Sequence, residues 1–260
     1  MFDSLTPLLP LVLPFLLVLF RVLGIFAFVP FFNNSSIPMN VKVLLSLAIT
    51  FCLWNVVPAT DLHALPDSLV SIVTAIIGEM SVGLLIGMMV GAAFAGIQLG
   101  AHLISQQMGL SMATLYDPSF EDQSTVIEQI AFWLALVTFL AMGGHRQIVE
   151  ALVYSFRVVP LGSGGIGPDA LMAAALGSLQ AAFHASTRVA MPALVAFFIA
   201  TLTGGLLSRT MPQMNLMSFG ITINLIVGFI MIMVGLTGWA IVSQSVFQNL
   251  FDAIARFFGG

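Results

Sequence analysis

The sequence predicts an all-α, polytopic membrane protein built from helical hairpins. Of its 260 residues, 59% are hydrophobic and 7% are charged, and the mean hydropathy is +1.09. A soluble domain of this size has too small a core to enclose so much apolar surface. Several apolar runs also reach the roughly 20 residues that a helix needs to cross a bilayer. These runs should be helices, because a lipid-exposed strand leaves its backbone hydrogen bonds unmade.

The apolar runs define the predicted elements in chain order. They cover residues 8–32, 41–58, 69–105, 126–142, 170–208 and 216–251. At 1.5 Å per residue the third run would be about 55 Å long, which is too long for one simple crossing. It must therefore break at a glycine, tilt strongly or continue beyond the bilayer, and Pro192 offers a kink in the similarly long fifth run.

A glycine-rich stretch supplies the best internal boundary. Residues 162–168 read GSGGIGP, a composition typical of a loop. The sequence therefore predicts a front part over residues 1–161, which contains a loop of interest at about 106–123, and a long helical hairpin over residues 169–260.

Small residues line one side of the third predicted helix. Gly83, Gly87 and Gly91 recur every four residues, so they share one helical face. Such a face lets another helix approach closely. Ordinary tight packing and a sliding or gating surface both explain the pattern.

A few ionisable and polar residues interrupt the apolar runs. Arg21, Glu79 and Arg188 should face protein or water, since a lipid-facing charge at the bilayer centre costs about 2.5 to 3.5 kcal/mol or more. Gln180, His184 and Arg188 recur every four residues on one face. We predict that these five residues are buried polar groups, and the stripe either lines a wet path or forms a hydrogen-bonded seam between helices or subunits. Which arginine, if any, pairs with Glu79 stays open.

The loop between the third and fourth runs is a candidate plug. It combines backbone freedom at its glycine, a turn-forming Asp-Pro pair and adaptable methionine side chains. The predicted plug or gate residues are Gly109, Leu110, Ser111, Met112, Ala113, Thr114, Leu115, Tyr116, Asp117 and Pro118. A packed connecting loop, with Ser124 capping the next helix, is the alternative.

Nothing in the sequence indicates an enzyme, a metal site or a cofactor site. Residues 109–113 read GLSMA, which is not a nucleophile elbow, and the four histidines lack a metal-binding spacing. There is no phosphate-binding loop and no basic patch for nucleic acid. The chain is therefore expected to be a component of a conduit without a catalytic residue, a metal or a cofactor of its own.

A series of short motifs runs in order along nearly the whole chain. They are residues 21–30 (RVLGIFAFVP), Ile37-Pro38, Gly78-Glu79, residues 106–118 (QQMGLSMATLYDP), residues 143–145 (GGH), Ser155-Phe156, Pro160 and residues 207–215 (LSRTMPQMN). Together these motifs resemble the FliR family of type III secretion export-gate subunits. Each segment is moderately specific, and their order and total length strengthen the match.

The resemblance implies a single-copy subunit of a closed, openable helical gate for unfolded flagellar proteins. Its implied partners are FliP-like and FliQ-like subunits, FlhB-like and FlhA-like export components, and the membrane. In this family the front part is similar to the FliP subunit and the hairpin to FliQ, the loop at residues 109–118 corresponds to the plug, and the gate lies largely above the membrane plane. The implied location is the bacterial inner membrane, in the flagellar basal body.

Three other functions remain open at this point. A virulence injectisome uses a related gate subunit. A secondary transporter would need a substrate site at a broken helix, for which the polar stripes are the only support. A purely structural scaffold would show the same packing without a role in a pore.

Overall fold

The computed structural model describes residues 9–30, 38–54, 68–110, 125–210 and 216–258. Within them the chain forms helices and no strand. The helices are α1 (Leu9–Phe28), α2 (Met39–Trp54), α3 (Leu69–Gln107), α4 (Val126–Ala141), α5 (Gly144–Val158), α6 (Pro168–Thr210) and α7 (Leu216–Phe257). The predicted all-α membrane fold is confirmed.

The three longest helices account for the longest apolar runs. Helix α3 has 39 residues, α6 has 43 and α7 has 42. Each is long and apolar enough to cross a membrane, and the bent pair α4 and α5, at 65°, would supply a fourth crossing if it counts as one. Helix α3 does not break at a glycine, and Pro192 lies inside an uninterrupted α6.

Residues at its two ends fix the limits of α4, and α5, the helix that the apolar runs did not predict, follows it at once. Thr125 caps α4, where its side chain accepts a hydrogen bond from the backbone N–H of Glu128. The predicted cap was the preceding Ser124, which lies outside the described residues. Gly143 then takes a left-handed conformation, with φ 71°, which a residue with a side chain adopts only at a cost. The chain bends there and α5 begins at once.

The contacts group the chain into two compact units that divide the long helices. The first contains α1, α2, α5, the opening parts of α3 and α6, and the end of α7. The second contains α4 and the remaining parts of α3, α6 and α7. The predicted division at residues 162–168, between a front part over residues 1–161 and a helical hairpin over residues 169–260, stays a prediction.

Each unit has its own core. In the first, α1 packs on α2, and Leu17 and Val18 are completely buried. In the second, the rings of Phe94, Phe139 and Phe247 form a cluster with centroids 5.0 to 5.4 Å apart. Such spacing is typical of stabilising aromatic contacts.

Candidate functional site

A buried ion pair joins α1 to α3 in the first unit. The Nε of Arg21 donates to Oε2 of Glu79 over 2.5 Å, and both side chains are fully buried. The guanidinium also lies over the ring of Phe156, 4.2 Å from its centroid. A buried charge of this kind is tolerated only when its partner and its hydrogen bonds are in place.

The other polar atoms of the pair are bonded to α5 and the loop that follows it. Arg21 donates to the hydroxyl of Ser155 over 3.1 Å and to the carbonyl of Val159 over 3.0 Å. The backbone N–H of Gly162 donates to Oε1 of Glu79 over 3.0 Å. The pair therefore holds three helices, α1, α3 and α5, and the loop after α5 together, and its surroundings suit a structural anchor rather than a reaction centre.

The glycine face of α3 lies against the backbone of α1. A Cβ atom at Gly87 would be 2.6 Å from the carbonyl oxygen of Ile25, and one at Gly91 would be 2.7 Å from that of Phe28. Gly83 faces the carbonyl oxygen of Arg21 in the same way. The predicted helix-packing glycines therefore lie where two helix backbones touch.

The later glycines of α3 meet a different helix. In the second unit, a Cβ atom at Gly96 would be 2.5 Å from the carbonyl oxygen of Ala182, and one at Gly100 would be 2.8 Å from that of Ser186. Both neighbours belong to α6. The glycines in the first part of α3 thus pack against α1, and those in its later part pack against α6.

The described residues before the candidate plug belong to the second unit. Gly109 has φ 78°, and Met108 is fully buried with its side chain against Gly228 of α7. Leu110 donates its backbone N–H to the carbonyl of Ser105 over 3.2 Å. Of the ten predicted plug residues, Gly109 and Leu110 are described, and residues 111–118 lie outside the described part of the chain.

Polar side chains on either side of the candidate plug contact one another. His102 and the carboxylate of Glu128 are 2.9 Å apart, and Gln106 is 3.0 Å from the other ring nitrogen of His102. The hydroxyl of Thr125 donates to the same carboxylate over 2.8 Å. The end of α3 and the start of α4 are therefore held close together.

In the single chain the polar stripe on α6 is exposed, so this chain does not itself bury Gln180, His184 and Arg188, and their burial against other subunits stays a prediction. All three face away from the helix face that this chain covers. Arg188 donates to the hydroxyl of Ser245 on α7 over 2.9 Å, and no described carboxylate lies within ion-pairing distance of it. The opposite face of α6, which includes Ala182, Ala185 and Val189, packs against the rest of the chain and leaves the stripe uncovered.

Sequence reasoning missed the partners that complete the buried pair. Ser155 lies on the unpredicted α5, and Val159 and Gly162 contribute only backbone atoms, which carry no residue-type signal. Among the described residues, no group of three or more His, Cys, Asp or Glu side chains is placed to hold a metal ion.

Comparison with known proteins finds relatives that match nearly the whole chain. Residues 12–250 match the profile of the bacterial export proteins, family 1. The chain belongs to this family. Its relatives include the flagellar biosynthetic protein FliR of Escherichia coli K12, 29% identical over 91% of this chain and 89% of the relative.

Two further relatives widen the comparison. FliR of Pectobacterium carotovorum is 30% identical over 90% of this chain and 88% of its own length. FliR of Bacillus subtilis 168 is 24% identical over 90% of each protein. The matched range, residues 12–250, includes parts of both units and the helices that carry the buried pair and the glycine face.

Proposed function

We propose that this chain is a subunit of the flagellar type III protein export gate, forming part of a closed, openable channel for unfolded flagellar proteins. The observation that carries the proposal is the family match over residues 12–250, with relatives named flagellar biosynthetic protein FliR. These names favour the flagellar machine over a virulence injectisome. The chain would act by changing conformation, with no bond chemistry of its own.

Close packing of the helices, with a methionine next to the candidate plug, supports this proposal. The Arg21 and Glu79 pair and the glycine contacts between α1 and α3 fix the first unit. The second unit contains the residues that flank the candidate plug, including the buried Met108. Methionine is a flexible side chain that adapts to irregular neighbours, which suits a seal around passing chains.

The partners of the gate follow the same proposal. The chain would assemble in one copy with FliP-like and FliQ-like subunits, and work with FlhB-like and FlhA-like export components in the inner membrane of the flagellar basal body. Much of the surface of α6 and α7 is apolar and uncovered in the single chain. Other subunits and lipid would cover it in the assembly.

Co-expression tests this assignment directly. A tagged copy of the chain is co-expressed with its candidate FliP-like and FliQ-like subunits, and the native mass of the detergent-extracted product is measured. We expect one stable complex that contains a single copy of this chain. A monodisperse particle made of this chain alone would instead favour a self-sufficient secondary transporter.

Replacing residues 109–118 with a flexible Gly/Ser linker of the same length should make the membrane leak small ions, because the proposed plug is lost while the helices around it remain. The measurement is the ion permeability of cells or vesicles that contain the assembled complex. The native mass of the variant complex must match that of the unaltered complex. An assembled variant without a leak would reject the plug and favour a scaffold.

A further inference from the structure

The ends of α3 and α4 are joined by a short series of polar contacts, the end tie, which is formed by His102, Gln106, Thr125 and Glu128. The Nδ1 atom of His102 is 2.9 Å from Oε1 of Glu128, and Nε2 of Gln106 is 3.0 Å from the other ring nitrogen of His102. The hydroxyl of Thr125 donates to Oε1 of Glu128 over 2.8 Å. All four residues belong to the second unit, so the end tie joins two helices within one unit.

The polar atoms of the end tie have complementary roles. A carboxylate can only accept hydrogen bonds, so Nδ1 of His102 carries the hydrogen and donates it to Glu128. The other ring nitrogen then accepts a hydrogen bond from the side-chain amide of Gln106. A neutral imidazole fills both roles at once. The hydrogen bonds therefore run without interruption from Gln106 through His102 to Glu128.

Each of the two helices ends in its own cap next to the end tie. Gly109 and Leu110 donate their backbone N–H groups to the carbonyls of Gln106 and Ser105 over 3.0 and 3.2 Å. Gly109 has φ 78°, and this arrangement is the Schellman motif that closes a helix. Thr125 caps the start of α4. The segment that contains the candidate plug is therefore bounded by two capped helix ends, and the end tie joins those ends.

The end tie is easier to break than the packing behind it. The side chain of His102 is 42% exposed and that of Glu128 is 15% exposed, so water can replace their hydrogen bond at little cost. Further along the same helices, the buried rings of Phe94 and Phe139 lie 5.4 Å apart, and parting them would expose apolar surface. The ends of α3 and α4 can therefore separate while the helices remain packed.

We propose that His102 and Glu128 are positioning residues of the closed gate. The end tie holds the ends of α3 and α4 together while the gate is closed, and it breaks when the gate opens. This proposal rests on the function proposed above, in which residues 109–118 obstruct the channel, because the end tie acts through the helix ends on either side of them. Neither residue has to contact the exported protein.

Ion permeability of vesicles that contain the assembled complex tests the proposal. His102→Leu and Glu128→Leu should each raise the leak about five-fold, the change in population expected when one hydrogen bond of ordinary strength is lost. The double variant should leak no more than either single variant, because each one already breaks the same tie. The native mass of the complex should stay the same. A lower thermal midpoint without any leak would make the tie a purely structural contact and overturn the proposal.

Conservative variants separate the hydrogen bond from the shape of the side chain. His102→Asn places an amide nitrogen near the former Nδ1 atom, and Glu128→Gln keeps a carbonyl oxygen that accepts. Both variants should leak as little as the unaltered chain. His145→Leu, at an exposed histidine of α5, is the matched control and should have no effect. The proposal is overturned if His102→Asn or His145→Leu leaks as much as His102→Leu.

A distance measurement reports on the end tie itself. Spin labels are attached at Gln107→Cys and Val126→Cys, two exposed positions, in a chain that also carries Cys52→Ser. The unaltered tie should give one narrow distribution of distances between the labels. His102→Leu should make that distribution broader and longer. An unchanged distribution would show that other contacts hold the helix ends, which contradicts the proposal.

Replacement of residues 109–118 separates a failure of this proposal from a failure of the proposed function. If that replacement leaks and His102→Leu does not, the plug stands and the end tie has no role in closing the gate. If neither variant leaks, the plug is rejected, and the role of the end tie is rejected with it.

Discussion

Replacing Glu79 with glutamine should lower the free energy of unfolding by about 3 to 5 kcal/mol, the cost of leaving one member of a buried ion pair without its partner. Arg21 would then carry its charge at a fully buried position, while the size of side chain 79 stays almost the same. The measurement is the thermal midpoint of the detergent-extracted chain, together with its yield in membranes. Arg21→Met should have a comparable effect.

An exposed ion pair offers the matched control. Arg146 and Glu150 form a contact of 2.8 Å on α5, with side chains 79% and 52% exposed. Glu150→Gln should cost about 0.5 kcal/mol or less, since exposed pairs of this spacing contribute little. The double variant Arg21→Met with Glu79→Gln should lose less than the two single losses added together, because no charge is left buried. If Glu79→Gln is as mild as Glu150→Gln, the pair does not hold the fold.

Adding one methyl group at Gly87 should separate α1 from α3. The new Cβ atom would lie 2.6 Å from a backbone carbonyl oxygen, and a helix backbone cannot move aside as a flexible side chain can. We expect Gly87→Ala to cost about 1 to 3 kcal/mol, as overpacked cores do, and Gly87→Leu to prevent the packing of the two helices. Thermal midpoint and recovery of the assembled complex report both effects.

A glycine in open space distinguishes steric overlap from the general effect of alanine in a helix. Gly177 of α6 has nothing within 4 Å of its would-be Cβ atom. Gly177→Ala should therefore raise stability, by up to about 1 kcal/mol, because alanine favours the helix. Equal effects at positions 87 and 177 would mean that α1 and α3 lie farther apart than described.

Hydropathy was sufficient to predict the fold class and most of the helices. Apolar runs at residues 69–105 and 170–208 correspond closely to α3 and α6, since bilayer-length apolar segments have few alternatives to a helix. Helix α5 was missed because it is amphipathic and carries Arg146, Glu150 and Arg157. A search for continuous apolar runs passes over such a segment.

The contacts between helices were harder to predict than the helices. The glycine spacing indicated a close-packed face on α3, but it could not say that α1 covers the first half and α6 the second. The pairing of Arg21 with Glu79 was left open because the two are 58 residues apart in the sequence and Arg188 was an equal candidate. The exposure of the α6 stripe could not be predicted either, because the sequence does not show which face of α6 the rest of the chain covers.

The buried pair also determines how early α1 can take its final position while the protein is being synthesised. Arg21 emerges from the ribosome in the first helix, whereas its partners follow 58, 134 and 138 residues later. Until α3 has been synthesised, the first helix carries an uncompensated arginine in an apolar segment, which is unfavourable in lipid. Helix α1 therefore reaches its final position only after Val159, the last partner of Arg21, has been added, when more than half of the polypeptide exists.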